Sequence, residues 1–294
     1  MAEPRGAPTP RHVSVPDAYR LEVSAGPALW VGDRSPRHAW IDDALVWCGR
    51  EGERVVWRRV RQDSPGTLVI EGSADPALDS GWVRDTLHPA NVVIDWSEPL
   101  IASIASRFPG LAPYGDGSLF EGIVTSVVGQ SISVAAAAVT QHRLAALFGG
   151  GVVVDGRVFT PLPSPSLLAD ASVDLIRSAG VTTRRAEALK RIATIAADGG
   201  LPSDERARRD PDAVERELLD LPQVGPWTAK SALLWGVGAP DAWPSGDVAL
   251  LRAVRHATGD DAITLKSMDA LAEPWRPYRG NAARLLWTNL FSET

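Results

Sequence analysis

The chain has 294 residues, a net charge of −6 and a single cysteine, Cys48. That length suggests two domains, or one large domain with an appendage. One cysteine excludes a disulfide framework and any all-cysteine zinc or iron–sulfur site, and the acidic balance argues against coating nucleic acid by charge alone while leaving room for a grip on DNA over a small footprint. No apolar run approaches the ~20 residues of a membrane span. The first residues lack the apolar centre of a signal peptide, so a reducing cytoplasm fits best.

Residues 1–18, rich in Pro, Ala and Gly, read as a disordered leader. From 19 to 98 the pattern predicts a β-rich unit. RLEVS (20–24), ALVWCG (44–49), RVVWRRV (54–60) and TLVIEG (67–72) are short β-branched and aromatic runs, and GREGE (49–53) reads as a hairpin loop. Residues 75–97 carry no clear signal. From 99 to 294 the spacing predicts an all-helical remainder with short connections. IASIASRFPGL (101–111) is a short helix stopped by Pro109 and Gly110. LFEGIVTSVVGQSISVAAAAVTQHRLAALFGG (119–150) is helical with one interruption at Gly129. Ser172 and Thr183 are candidate helix caps. The fold class is therefore α+β, an antiparallel sheet followed by helices.

Two stretches carry candidate chemistry. LPQVGPWTAK (221–230) places Gly225 and Pro226 between two helical patterns. A helix N-terminus presents free N–H groups and partial positive charge, and small residues ahead of it let a phosphate approach. Leu221 would anchor such a turn, Gly225 would allow positive φ and Pro226 would open the helix. The same residues would also serve as a plain corner between helices. In DAWPSGDVALLRAV (241–254) a break at Pro244–Gly246 is followed by Asp247 at a helix start. Asp is a common N-cap. It is also a carboxylate placed one helix beyond the turn, able to face a sugar while the turn holds a phosphate.

LPQVGPWTAK followed by WPSGDVALLRA resembles the helix-hairpin-helix DNA glycosylases, and most closely the bacterial 3-methyladenine DNA glycosylase II branch. LFEGIVTSVVGQSISVAAAA, RRAEALKRIATIAADGGLP and AEPWRPYRGNAARLLW resemble further blocks of that family in order and spacing, over residues 101–290. The resemblance implies a two-lobed helical core behind the sheet domain and an enzyme that everts a damaged base from duplex DNA and cleaves its N-glycosidic bond. It implies Asp247 as the catalytic carboxylate and Trp227 and Tyr278 as base-pocket aromatics. Gln223, Val224 and Gly225 become the phosphate-binding hairpin, with a monovalent cation on the backbone at Leu221 and Val224. Gln130 and Ser131 fall in the loop that fills the gap left by the everted base, where Ser131 is smaller than the family's side chain and Gln130 or Ile132 would substitute. Relatives that also nick DNA carry a lysine where this chain has Trp227, and the nearest amine is Lys230. A monomer acting on DNA in the cytoplasm, without cofactor or side-chain metal site, is expected.

In that chemistry a carboxylate near C1′ stabilises an oxocarbenium-like sugar. A purine alkylated at N3 or N7 is cationic, leaves without a protein acid, and gains ~0.5–2 kcal/mol over an indole face. Trp227, Trp235, Trp243, Trp275 and Tyr278 lie near the motifs, and Arg184/Arg185 and Arg276/Arg279 are cationic pairs within reach of phosphates or on solvated helix faces. Two alternatives stay open: a glycosylase for an oxidised, deaminated or bulky base, and a helix-hairpin-helix protein that holds DNA without catalysis.

Overall fold

A computed structural model describes residues 9–31, 34–92, 95–115 and 117–292. The chain opens with β1 (Arg11–Ser14), followed by α1 (Leu21–Ser24), α2 (Gly26–Val31), β2 (His38–Ile41), β3 (Ala44–Glu51), β4 (Arg54–Ser64) and β5 (Thr67–Gly72). The five strands form one antiparallel sheet in the order β1-β5-β4-β3-β2. Two expectations change here. The leader was expected to reach residue 18, yet Arg11–Ser14 pair with Thr67–Ile70, and Tyr19 is fully buried. Residues 1–8 lie outside the described residues. RLEVS is helical rather than extended. Its buried residues, Leu21 and Ser24, are three apart, which suits a helical turn.

Strand β3 is buried on both faces. Leu45 and Trp47 point into a cluster with Tyr19, Leu21, Val60 and Ile70, while Val46 and Cys48 meet Ala39, Val154 and Phe159. The second face is covered by a hairpin absent from the sequence expectation, β6 (Val152–Val154) and β7 (Arg157–Phe159). The remainder is therefore not all-helical. Asp155 and Gly156 both have positive φ, 50° and 75°, as a two-residue hairpin turn requires. On the central strand β4, Arg58 is 1% exposed; Glu51 and Asp79 accept from it and the Trp47 and Trp82 rings flank it. Burial pushes the Cys48 thiol up to about 12, so it stays an apolar core group.

The stretch from 75 onward forms successive short helical turns that include α3 (Asp79–Trp82) and end at Val92. Helices α4 (Pro99–Arg107), α5 (Leu119–Gly129), α6 (Val134–Phe148), α7 (Pro165–Asp170), α8 (Val173–Ser178) and α9 (Thr183–Ala197) follow. Then come α10 (Asp204–Arg209), α11 (Pro211–Leu218), α12 (Pro226–Val237), α13 (Val248–Thr258), α14 (Leu265–Ala272) and α15 (Arg279–Ser292). Ser172 caps α8 as expected, whereas α9 is capped by Thr182 and Thr183 is its first residue. Helices α5 and α12 cross backbone to backbone. A Cβ on Gly122 would lie 2.5 Å from Ala232 O and 2.7 Å from Gly236 Cα, and one on Gly236 would lie 2.7 Å from Ser118 O. This glycine crossing fixes the axis of α12, and with it the turn that precedes that helix.

Candidate active site

The turn between α11 and α12 is built by local backbone bonds. Leu221 N–H donates to Leu218 O (3.1 Å) and Val224 N–H to Leu221 O (3.2 Å). Val224 is buried, and half-buried Leu221 packs against the helical core, so both apolar residues anchor the turn. The positive φ falls on Gln223 (62°), not on Gly225 as expected; Gly225 is extended at φ −98°, ψ −179°. The use of glycine at 225 is space. A Cβ there would meet nothing within 4 Å, and no side chain caps α12, which begins with Pro226. A helix terminus of this form is one that an anion can approach over a residue with no side chain.

Asp247 caps α13. Its Oδ1 accepts from Leu250 N–H at 2.7 Å and its Oδ2 from Trp227 Nε1–H at 2.9 Å. Trp227 stands in the first turn of α12, directly after the phosphate-type turn. The two stretches singled out in the sequence are therefore joined by one hydrogen bond across 20 residues. The indole is edge-on to the carboxylate, so in this geometry Trp227 orients Asp247. The connecting loop is held firmly. Trp243 Nε1–H and Ser245 Oγ–H both donate to Asp269 on α14, at 2.8 and 2.5 Å, and Gly246 turns the chain at φ 87°.

Gln130 terminates α5 and turns toward the same place. Its Nε2 donates to Gln223 O (2.8 Å) and to Thr228 Oγ1 (3.0 Å), so its amide braces the turn rather than projecting outward. Thr228, 3% exposed, was not singled out in the sequence; its position one residue past Trp227 is the only signal it offered. Ser131 is exposed and left-handed, at φ 57°. Tyr278 lies outside the bonded set of Gln130, Gln223, Thr228, Trp227 and Asp247. It is 39% exposed and packs edge-on against Trp96, ring centroids 6.2 Å apart.

Several candidates are engaged in contacts within the protein. Arg279 and Arg276 both donate to Asp241 and Glu273, tying the start of α15 to the chain ahead of the Asp247 loop. Burial raises the Asp241 carboxyl, but hydrogen bonds and charge from Arg279 and the charge of Arg276 outweigh it and hold that group below the usual range. Trp235 stacks on Trp287, and Trp243 packs edge-on against Trp275. Lys230 Nζ lies 2.5 Å from Glu215 and 3.7 Å from Asp212, held toward α11. Among the described residues no three His, Cys, Asp or Glu side chains converge on a metal position.

The chain is 25% identical over 202 residues to a DNA-3-methyladenine glycosylase of Bacillus subtilis, covering 66% of this chain and 65% of that protein. It is 31% identical over 187 residues to DNA-3-methyladenine glycosylase 2 of Escherichia coli, covering 64% and 63%. The match thus spans slightly under two thirds of either relative. The fold is similar to that of a 3-methyladenine DNA-glycosylase from Archaeoglobus fulgidus, with TM-score 0.73 at 20% identity over 96% of this chain and 97% of that one. It is also similar to an 8-oxoguanine glycosylase/lyase from Clostridium acetobutylicum, with TM-score 0.69 at 15% identity over 92% and 93%. The family model described as HhH-GPD superfamily base excision DNA repair protein matches residues 124–277, more than half of the chain and a span that includes Gln130, the hairpin turn, Trp227 and Asp247, and the chain belongs to that superfamily.

Proposed function

We propose that this protein is a monofunctional DNA glycosylase that everts alkylated purines from duplex DNA and hydrolyses the N-glycosidic bond. The observation that carries the reading is the Trp227–Asp247 hydrogen bond, which couples an open, uncapped helix terminus suited to a phosphate to a carboxylate aimed beside it. With a backbone phosphate seated over Gly225, the sugar of the everted nucleotide comes to Asp247. The C1′–N bond breaks, its electron pair passes to the cationic base, and positive charge builds on the sugar. The Asp247 carboxylate stabilises that charge and accepts a proton from the water whose oxygen bonds to C1′. The base leaves neutral, so no protein acid is required. The names of the Bacillus subtilis and Escherichia coli relatives support a methylated purine as the substrate class. The reading keeps Tyr278, 39% exposed, as an aromatic face for the base, although it lies outside the bonded set around Asp247.

The engagement of Lys230 with Glu215 favours water over an amine as nucleophile and an intact abasic site as product. Its partner is double-stranded DNA, met as a monomer in the cytoplasm near the nucleoid. Among the described residues no helix is long and apolar enough to cross a membrane. The test is mass-spectrometric analysis of bases released from methylated and from oxidised duplex DNA. Release of 3-methyladenine and 7-methylguanine ahead of 8-oxoguanine supports the reading; preferential release of the oxidised base, or of none, refutes it.

A further inference from the structure

Away from the Asp247 loop, a partly open cavity of about 180 Å³ lies between α4, the 108–113 segment and α15. None of Gln130, Gln223, Trp227, Asp247 or Tyr278 lines it. Asn281, Arg284 and Leu285 form its α15 wall; spaced three and four apart, they share one helix face. Trp96 and Phe108 bring aromatic rings to it. Asn281 is buried, and its carboxamide is idle. Its Oδ1 has no hydrogen-bond partner, and among the described residues its Nδ2 donates to none. A buried amide without partners is costly, so a group that satisfies both of its ends is favoured there. A cavity of about 150 Å³ in a protein core admits benzene, whereas one water needs only about 10–15 Å³, so the volume here suits a planar ring system. The charged group on the lining is the Arg284 guanidinium, anchored by donating to Tyr114 O and Leu234 O, and among the described residues no carboxylate lines the cavity. A positive wall without a counter-charge disfavours a cation. A carboxamide pairs with the N6–H and N7 edge of adenine through both its ends, and aromatic rings hold bases by stacking.

We propose that this cavity binds a free, neutral adenine-type purine, stacked against Trp96 and Phe108 with its N6–H and N7 edge on the Asn281 amide. Adenine methylated at N3 is cationic within DNA and neutral once released, so the positive wall admits the product and not the lesion. That the reaction supplies this ligand rests on the glycosylase reading above; the binding itself requires no catalysis.

The experiment is calorimetric titration of the full chain, without DNA, with 3-methyladenine and with 6-methylpurine, which keeps the ring system and lacks the amino donor. The native protein should bind 3-methyladenine at one saturable site and 6-methylpurine about tenfold or more weakly. Asn281→Leu should weaken 3-methyladenine binding by about tenfold or more. Ala105→Leu fills the cavity from half-buried α4 and leaves the amide in place; it should weaken binding to a similar extent, and it serves as the test if Asn281→Leu does not fold. Trp227→Ala, which alters the reaction site and not the cavity, should bind within about twofold of native. Absence of saturable binding by the native protein overturns the proposal and leaves the cavity to water. Binding that survives the cavity substitutions, or that is lost in Trp227→Ala, also overturns it and moves the ligand to the reaction site. Base release from methylated duplex DNA separates the two readings. A protein that binds free purine but releases none from DNA refutes the glycosylase reading, whereas one that releases bases but binds no free purine refutes only the cavity assignment.

Discussion

Replacing Trp227 with Phe separates two roles that the same residue would otherwise confound. A phenyl ring keeps an aromatic face and most of the packed volume, but it has no N–H. Asp247 then loses the donor at 2.9 Å on Oδ2 and keeps the Leu250 N–H at 2.7 Å on Oδ1, so the cap on α13 survives while the carboxylate can swing about that one remaining bond. A hydrogen bond to a charged group is worth about 1.5–3 kcal/mol. If that energy serves to hold Asp247 at the sugar, its loss lowers the chemical step by about 10- to 150-fold at 1.36 kcal/mol per decade. The assay is single-turnover release of 7-methylguanine from duplex DNA, alongside DNA affinity by fluorescence anisotropy. The expected outcome is a large fall in rate with affinity within about twofold of native, since the turn proposed to meet the phosphate is untouched. A Trp227→Phe protein as fast as the native one would refute the orienting role and leave Trp227 as a stacking surface only.

Other perturbations test the surrounding frame. Gly225→Glu places bulk and negative charge in the open space over the start of α12, and should sharply weaken duplex binding measured by anisotropy while the thermal midpoint falls only modestly. Gly122→Ala forces a methyl to within 2.5 Å of Ala232 O, and should destabilise the protein by about 1–3 kcal/mol in urea unfolding. Asp241 has its carboxyl held below its ordinary value of 3.8, so its contribution to stability is present above that pH and is lost as pH falls through the lower folded-state value. Calorimetry should show the native thermal midpoint dropping in that acid window, and Asp241→Asn should be less stable at pH 7 and show a smaller further drop. Identical acid profiles would contradict the clamp.

What the sequence made legible was local. The pattern of LPQVGPW and the break before Asp247 are signals of chain geometry within a few residues, and the turn and cap appear where they predict. The interruption at Gly129 likewise separates α5 from α6. Misreadings arose where composition outweighed spacing. RLEVS has strand-forming residues, but Leu21 and Ser24 share one buried face of a helical turn. VVVDGRVF, with Asp-Gly between two short β-forming runs, carries a hairpin signal that the helical spacing on either side obscures. What stayed hidden depends on contacts between distant residues. Gln130 finds Gln223 and Thr228 across more than 90 positions, and Arg279 meets Asp241 across 38, so a bracing amide and a structural arginine could not be told from DNA contacts beforehand. The side of Trp227 that matters, its edge, is visible only once Asp247 is folded against it.

The central claim is that Asp247 performs the chemistry while the hairpin turn performs the holding. Asp247→Asn tests it most directly, because the amide keeps an oxygen for the Leu250 N–H cap and removes the charge. Single-turnover base release from methylated duplex DNA should fall by at least about a hundredfold, with duplex affinity equal to or tighter than that of the native protein. Base release near the native rate from a folded Asp247→Asn protein would contradict the account and require another group to stabilise the sugar.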